Sequence, residues 1–280
     1  MLDVRVVADP DEFFCLAQPL LASQPAEHTT IASILRDVRT GARLYPDAMW
    51  IVAVADGNVA GLAMWTAPWP PYLGPMLAAA ASAVADLLAD RTGVVPGLNG
   101  EAAAVRTAIR RYQEHHPGVR VAKTTGVRLH RLEGLVRPEV AGCVRAATWD
   151  DHDLVEPWYR DFAVDVGHDP IGVMESMRIH LDRSTLLLWE VDGRAVAMAG
   201  RTPSAAGVAR VGPVYTPLAY RRHGYGAAVT AEASARAQAP DVKAVVLFTD
   251  MANPTSNKIY AEIGFRPVRD YLEVSFGQGS

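Results

Sequence analysis

Two stretches of the chain share one pattern, in which apolar segments flank an Asp-Gly pair. The first is WIVAVADGNVAGLAMWTAP (50–68), with Asp56-Gly57 at its bend, and the second is LLLWEVDGRAVAMAGRTP (186–203), with Asp192-Gly193. This pattern predicts a β-hairpin, because glycine accepts the positive φ that a tight turn requires. The two pairs lie 136 residues apart, about half of the chain. The spacing favours an internal duplication over the alternative, a coincidence of two hairpins.

The segments that follow each hairpin come in a similar order. After the first hairpin we expect a short strand in PYLGPM, a helix over 77–90, extended GVVPG, a helix over about 101–115 and strands in VRVAKTTGVRLHRLEGL. After the second we expect a strand in ARVGPVYTP, a helix over about 225–238, the strand VKAVVLF, a helix over about 254–263 and strands in RPVRDYLEVSF. Only the second half inserts TPLAYRRHGYG between its strand and its helix.

The boundary between the halves is predicted near LVRPEVAGC (135–143), where a proline and a glycine interrupt the pattern. We therefore expect two domains, over 1–137 and 138–280. The second should open with a strand, a helix over about 152–164 and another over about 171–182. The alternation of strands and helices predicts an α/β (α+β) fold, with a mixed sheet and flanking helices in each domain.

Composition narrows the class of protein. Half of the residues are hydrophobic and 21% are charged, which is typical of a folded chain. A net charge of −4 and a pI near 6.1 argue against nucleic-acid binding. The two cysteines, Cys15 and Cys143, match no metal spacing, and no apolar stretch is long enough to span a bilayer. We expect a cytoplasmic protein without a bound metal, and no partnership with nucleic acid or membrane.

The inserted loop carries the most specific chemistry. A glycine-rich turn from a strand into a helix leaves the first helical N–H groups unpaired, and these groups suit a phosphate. Gly224 and Gly226 allow a close approach of the backbone, and Arg221 and Arg222 can contact further phosphate oxygens. Neither a Walker A loop nor a three-glycine dinucleotide motif is present. A solvated turn before a surface helix remains the alternative for the loop taken alone.

Two motifs together resemble the GCN5-related N-acetyltransferase (GNAT) superfamily. Residues 221–226 follow its pyrophosphate loop, Gln/Arg-x-x-Gly-x-Gly/Ala, and NPTSNKIYAEIGFRPV (253–268) is similar to its motif after the fifth strand. The resemblance is specific over residues 140–280 and weak over 1–137. It implies two GNAT-like domains, each with a mostly antiparallel twisted sheet. The first half, in which Glu101 would repel an anion, is then a degenerate domain without a pyrophosphate loop.

The resemblance also implies acetyl-CoA as cosubstrate and a site for it. Its pantetheine arm should lie between two splayed strands and bond the backbone of one of them. The implied cofactor-binding residues are Val214, Tyr215, Thr216, Arg221, Arg222, His223, Gly224, Tyr225, Gly226, Ala227, Asn253 and Asn257. An N–H group near Val214 would then stabilise the oxyanion.

The implied reaction is direct attack by a primary amine on the thioester in a ternary complex. Tyr260 is the candidate acid for the leaving thiolate, although a packing role is the alternative. No general base is assigned, because Asp250, His168 and Asp165 are each better explained as cap, turn or surface residues. The acidic and aromatic stretch EPWYRDFAVDVGHDP (156–170) would suit a cationic amine, or simply form an amphipathic helix.

The leading interpretation is an N-acetyltransferase for a small-molecule or peptide amine, acting as a monomer or homodimer. A catalytically silent acyl-CoA-binding or regulatory protein is the alternative, because the fourth strand carries no carboxylate and the first half lacks the loop. A nucleotide-binding protein is disfavoured by the missing partner motifs.

Overall fold

The computed structural model describes residues 1–167 and 170–278. The chain forms two compact units. We call residues 1–129, together with the segment that begins at Val268, the first unit, and residues 130–267 the second unit. No helix in the described ranges is both long enough and apolar enough to cross a membrane.

The described residues of the first unit contain four helices and seven strands of one sheet, and two of these strands continue into the second unit. The sheet order β1-β2-β3-β4-β5-β12 is antiparallel except where β4 and β5 run parallel. In chain order the elements are β1 (Leu2–Val7), α1 (Pro10–Ser23), α2 (Thr29–Arg39), β2 (Met49–Ala55), β3 (Asn58–Trp65), β4 (Tyr72–Leu73), α3 (Ala78–Arg91), β5 (Gly97–Glu101) and α4 (Ala102–His115), followed by β6 (Val119–Leu132), which ends in the second unit.

The second unit repeats this order. Its sheet runs β7-β8-β9-β10-β11, antiparallel except where β10 and β11 are parallel. The elements are β7 (Cys143–Ala146), α5 (His152–Val166), α6 (Pro170–Asp182), β8 (Leu186–Val191), β9 (Arg194–Arg201), β10 (Val208–Tyr215), α7 (Tyr225–Ala237), β11 (Ala244–Asp250), α8 (Pro254–Glu262) and β12 (Phe265–Gln278). The mixed, mostly antiparallel sheet with flanking helices confirms the predicted fold class.

The two Asp-Gly hairpins have the same geometry. Both residues of each bend have positive φ, with 49° and 81° at Asp56-Gly57 and 49° and 72° at Asp192-Gly193, as a type I′ turn requires. Each hairpin also has a register shift, between Ala53 and Val54 in the first and between Trp189 and Glu190 in the second. These shifts occur at equivalent positions of the repeat, which supports the predicted duplication.

Alternate side chains of the second sheet enter two separate cores. Leu186 and Leu188 pack with α5 and α6, whereas Leu187 and Trp189 pack on the side that α7 covers. This period of two is what a strand covered on both faces requires, and it explains the uninterrupted apolar sequence of β8. The sheet is therefore held rigidly between helices, and β10 is fixed at its centre.

The two units differ from the two sequence halves at their ends. The β12 segment from Val268 pairs with β5 in the first unit, where Leu272 and Val274 are buried in the core. In the second unit, the N–H groups of Glu133 and Val136 donate to the carbonyls of Gly264 and Ile263, both at 3.1 Å. The last residues of each half of the chain therefore belong to the other unit. A single boundary at residue 137 does not describe this arrangement.

Candidate functional site

The second sheet opens between β10 and β11. These strands pair only at Val208–Arg210, opposite Ala244–Val246. Beyond Arg210, β10 pairs with β9 alone, through a register shift between Val211 and Val214 that contains Gly212 and Pro213. A proline has no N–H to donate, and an irregular strand bends away from its neighbour. The end of β10, where Val214, Tyr215 and Thr216 were predicted to bond the pantetheine arm, therefore lies beside a gap in the parallel pairing.

The connection from β10 leads directly to the amino end of α7. After a short 3-10 turn (Leu218–Tyr220), Arg222 and Gly224 take the left-handed conformation, with φ of 69° and 82°. The first helical bond runs from the Ala228 N–H to the Gly224 carbonyl, at 3.0 Å. The amides ahead of it in the helix have no carbonyl of the preceding turn to bond, and they can bind an anion. They belong to Tyr225, Gly226 and Ala227.

Both glycines of the loop are packed closely. A Cβ on Gly224 would lie 3.0 Å from Cγ2 of Val140, and one on Gly226 would lie 3.1 Å from Oγ1 of Thr216. The Gly226 carbonyl also accepts a bond from the Thr230 hydroxyl, at 2.6 Å. The loop is therefore fixed against its neighbours, and its small residues are required by contact as well as by backbone angle.

Arg221 is engaged with α5 and with the end of β10. Its Nε donates to the Thr216 carbonyl at 2.9 Å, and its Nη2 donates to Oδ2 of Asp165 at 2.7 Å. The guanidinium carbon lies 5.8 Å from the centre of the Tyr215 ring. The Tyr215 hydroxyl in turn donates to Oδ2 of Asp161 at 3.0 Å. Burial first, and then the Asp161 carboxylate, raise the pKa of Tyr215.

His223 and Arg222 lie at the outer side of the loop, where both are exposed. The His223 ring stacks on Tyr225, with centroids 5.4 Å apart and planes 11° apart. Its Nδ1 lies 2.8 Å from the Arg221 carbonyl, to which it donates. His223 thus holds the loop backbone, and the structure brings the predicted loop residues together around the first turn of α7.

The predicted asparagines shape the turn from β11 into α8. Asn253 caps α8, because its Oδ1 accepts the Ser256 N–H at 3.0 Å. Asn257 Nδ2 donates to the carbonyls of Asn253 at 2.8 Å and Asp250 at 3.1 Å. The Asp250 carboxylate accepts the Ala252 N–H at 2.7 Å. These three side chains therefore hold the turn itself, and Asp250 is occupied as a turn residue.

Tyr260 lies on α8 and is partly buried. Its ring meets Phe265 edge-on, with centroids 6.3 Å apart and planes 67° apart. Burial raises the pKa of Tyr260 to about 12. The phenol is therefore protonated at neutral pH but is a weaker acid than free tyrosine.

The two other candidates for a general base are Asp165 and His168. Asp165 is paired with Arg221, and His168 lies outside the described residues. In the acidic and aromatic stretch, Trp158 and Tyr159 are buried in the core between α5 and the sheet. Their packing confirms the core interpretation of Trp158. The contact of Val140 with Gly224 had no local sequence signal, because the two residues lie far apart in the chain.

The first unit has a different geometry at the equivalent place. Only residues 74–77 connect β4 to α3, against 216–224 between β10 and α7. The pairing of β4 and β5 extends to the last residue of β4, where Leu73 lies opposite Gly100. A Cβ on Gly100 would lie 2.0 Å from the Leu73 carbonyl oxygen. Glu101 caps α4 by accepting the N–H groups of Ala103 and Ala104. No gap is formed between these two described strands, Glu101 caps the helix that corresponds to α8, and the four-residue connection into α3 has no counterpart of residues 216–224.

Comparisons with known proteins agree with this geometry. Residues 152–265 match the model of the Acetyltransferase (GNAT) family. The fold is similar to that of an acetyltransferase from the GNAT family from Colwellia psychrerythraea, at 14% identity and TM-score 0.60 over 98% of this chain and 100% of that one. It is also similar to a GCN5-related N-acetyltransferase from Sphaerobacter thermophilus, at 18% and 0.60 over 100% and 96%.

A third similar structure is a tandem GNAT protein from the clavulanic acid biosynthesis pathway, at 14% identity and TM-score 0.56 over 100% of both chains. A search of curated proteins finds no match to the sequence. The family model confirms the resemblance that the two motifs indicated, and the tandem structure confirms the predicted pair of similarly folded halves.

Proposed function

We propose that this chain, a tandem GNAT-fold protein whose residues 152–265 belong to the GNAT acetyltransferase family, moves an acetyl group from acetyl-CoA to a primary amine. Family membership gives acyl transfer as the class of reaction. The choice of acetyl-CoA as donor and of an amine as acceptor is the proposal. It assigns the reaction to the second unit alone, because the first unit closes β4 on β5 and has only residues 74–77 where the second unit has its glycine-rich loop.

The observation that carries the proposal is the gap beside β10 next to the uncapped end of α7. The pairing of β10 with β11 ends at Arg210 and Val246, and the amide groups that open α7 follow Gly224. An extended arm with its own amides can bond an unpaired strand, and a diphosphate can bond unpaired helical N–H groups. Coenzyme A combines these two chemistries in one molecule, so the residues present fit it.

The chemistry of each step follows from these positions. The amine nitrogen forms a bond to the acyl carbon, the bond from that carbon to sulfur breaks, and the sulfur leaves with the electron pair. The Val214 N–H, at the register shift of β10, is assigned to the carbonyl oxygen as negative charge develops there. The ammonium of the acceptor first loses one proton to solvent, and the nitrogen loses a second proton to solvent as the carbon–sulfur bond breaks. No carboxylate is assigned as the base, because Asp250 holds its own turn and Asp165 is paired with Arg221 in the absence of cosubstrate.

Tyr260 is assigned to the leaving sulfur as a hydrogen-bond donor. A phenol with a pKa of about 12 cannot readily transfer its proton to a thiolate whose conjugate acid has a pKa of about 8.5. The difference of roughly 3.5 units corresponds to about 5 kcal/mol. A protonated phenol can nevertheless stabilise the thiolate by donation, and solvent then supplies the proton.

A catalytically silent acyl-CoA-binding protein is the second candidate, and one observation favours it. The strand β10 reads VARVGPVY and offers no carboxylate as a base, while burial weakens Tyr260 as an acid. Such a protein would bind acetyl-CoA through the same gap and loop without turnover. Binding and turnover must therefore be measured separately.

The experiment combines calorimetry with release of free thiol. Purified protein is titrated with coenzyme A, and acetyl-CoA is then incubated with a panel of amines that includes amino acids, polyamines, aminoglycosides and lysine peptides. Binding with amine-dependent thiol release supports the transferase, whereas binding without release from any amine supports the silent alternative. Absence of binding would overturn both.

A Tyr260→Phe variant tests the assigned donor. We expect unchanged affinity for coenzyme A and a turnover lower by about 10- to 100-fold, below the full effect of a general acid. Tyr271→Phe, which removes a hydroxyl that donates to the Glu27 carbonyl in the first unit, is the matched control and should keep its turnover. Equal turnover in Tyr260→Phe and wild type would leave Tyr260 as a packing residue.

The class of acceptor, the cellular compartment and the oligomeric state are part of the same proposal. A small-molecule or peptide amine fits the exposed mouth at the end of β10, where Asp161 and Asp165 lie on α5. The two cysteines are free thiols exposed to solvent, which suits a reducing compartment such as the cytoplasm. We propose a monomer or homodimer as the active species.

A further inference from the structure

One arginine of the loop, Arg221, is bonded to a carboxylate on helix α5. Arg221 opens the loop, yet its Nη2 donates to Oδ2 of Asp165, near the end of α5, at 2.7 Å. A second donation, from Nε to the Thr216 carbonyl at 2.9 Å, fixes the direction of the guanidinium. These two bonds orient the guanidinium of Arg221 towards α5 and the end of β10.

The same guanidinium is the one proposed to contact a diphosphate. Arg221 is three residues from Gly224, at the mouth of the anion-binding turn. The guanidinium has five N–H donors in one plane, and a bidentate contact with phosphate oxygens requires two on the same edge. Nε and Nη2 are already bonded to the Thr216 carbonyl and to Asp165, so a diphosphate that draws the guanidinium towards the first turn of α7 competes with Asp165 for it.

We infer that Asp165 is an internal competitor of the diphosphate for Arg221, so that binding of acyl-CoA releases the Asp165 carboxylate to receive the cationic end of the acceptor. The inference rests on the proposed function, because it names which side chain meets the acceptor once the cosubstrate is bound. It assigns to Asp165 a positioning role in place of the role of general base that the sequence left open.

The surroundings of Asp165 suit a cation. Asp161 precedes it by one helical turn on the same face of α5, and both side chains are exposed. The Tyr215 ring lies beside them, with its hydroxyl bonded to Asp161. A carboxylate next to an aromatic face recognises an ammonium or guanidinium. The guanidinium carbon of Arg221 already lies 5.8 Å from the centre of the Tyr215 ring, so a cation is accommodated beside this ring.

The energy of the competition is modest. The side chains of Arg221 and Asp165 are 42% and 50% exposed, and ion pairs with that exposure contribute about 0 to 1 kcal/mol. An internal competitor of that strength lowers the apparent affinity of the diphosphate by about two- to sixfold. The effect lies within the range of titration calorimetry.

The test measures affinity for coenzyme A in four proteins: wild type, Asp165→Asn, Asp161→Asn and Arg221→Gln. Asp165→Asn should bind about two- to sixfold more tightly than wild type. Asp161→Asn removes the same charge one turn away but has no contact with Arg221, so it should tighten binding clearly less. Pantetheine, which lacks the diphosphate, should show no difference among the proteins.

A double variant separates direct competition from general electrostatics. In the Arg221→Gln background, the further change Asp165→Asn should no longer tighten binding. Equal affinities of wild type and Asp165→Asn, an equal gain in Asp161→Asn, or a gain that persists without Arg221 would each overturn the inference. Absence of binding to coenzyme A in all of the proteins would instead overturn the proposed function, so the two failures are distinguishable.

The proposed contact of Asp165 with the acceptor amine is tested separately, by steady-state kinetics. For the amine that releases most thiol in the panel, Asp165→Asn should raise the KM for the amine and lower that for acetyl-CoA. A residue that only supports the fold would shift both constants in one direction. An unchanged KM for the amine would overturn the assignment of Asp165 to the acceptor.

Discussion

The imidazole of His28 makes the first unit sensitive to acid. His28 is fully buried at the start of α2, and neither of its ring nitrogens has a hydrogen-bond partner among the described residues. A Cβ on Gly74 would lie 2.8 Å from the ring, so the ring packs directly against the backbone of Gly74. Burial first, and the Arg269 charge second, lower the pKa of His28 from 6.5 to about 4.

The size of the effect follows from this pKa. A histidine with a lower pKa in the folded state binds its proton less readily there, so stability is complete above pH 6.5 and is lost as pH falls towards 4. The full difference corresponds to about 3 kcal/mol, of which about 2 kcal/mol is lost between pH 7.5 and pH 5. This is a large fraction of the stability of an ordinary domain.

Urea unfolding at pH 7.5, 6 and 5, followed by tryptophan fluorescence, measures this loss, and Trp50, which is buried in the first unit, contributes to the signal. Other groups also titrate in this range, so the comparison is with His28→Phe and His28→Asn, neither of which titrates. Both variants should lose about 2 kcal/mol less than wild type between pH 7.5 and pH 5, whatever their absolute stability. The same pH dependence in all three proteins would refute the reasoning.

Two further predictions concern the site. Gly224→Ala, at φ 82° and 3.0 Å from Val140, should cost about 1 to 2 kcal/mol and weaken binding of coenzyme A in calorimetry. Gly193→Ala, at φ 72° with open space around it, should cost a similar amount yet leave binding unchanged, and equal losses of affinity in the two would contradict the contact argument. Asn253→Ala removes the cap of α8 and should cost about 1 kcal/mol in urea unfolding, whereas no change would contradict its capping role.

Local patterns were sufficient for much of the fold. The Asp-Gly bends predicted both hairpins, and the predicted helices after them end within one or two residues of those observed, such as Ala78–Arg91 and Tyr225–Ala237. These elements depend on turn residues and on apolar periodicity, which are written in neighbouring positions. The helices α1 and α2 were not predicted, because no hairpin or motif marks their positions in the sequence.

The sequence by itself determined the hairpins, the duplication, and the glycine-rich turn at the mouth of α7, because each depends on residues close together in the chain. Only the tertiary structure decided that β12 enters the first unit, that the His28 ring is buried without a partner among the described residues, and that Arg221 is bonded to Asp165, 56 residues earlier. The physical reason is that a strand partner, a desolvated ring or an ion pair is set by distance in space. Contacts of this kind form only when the whole chain has folded.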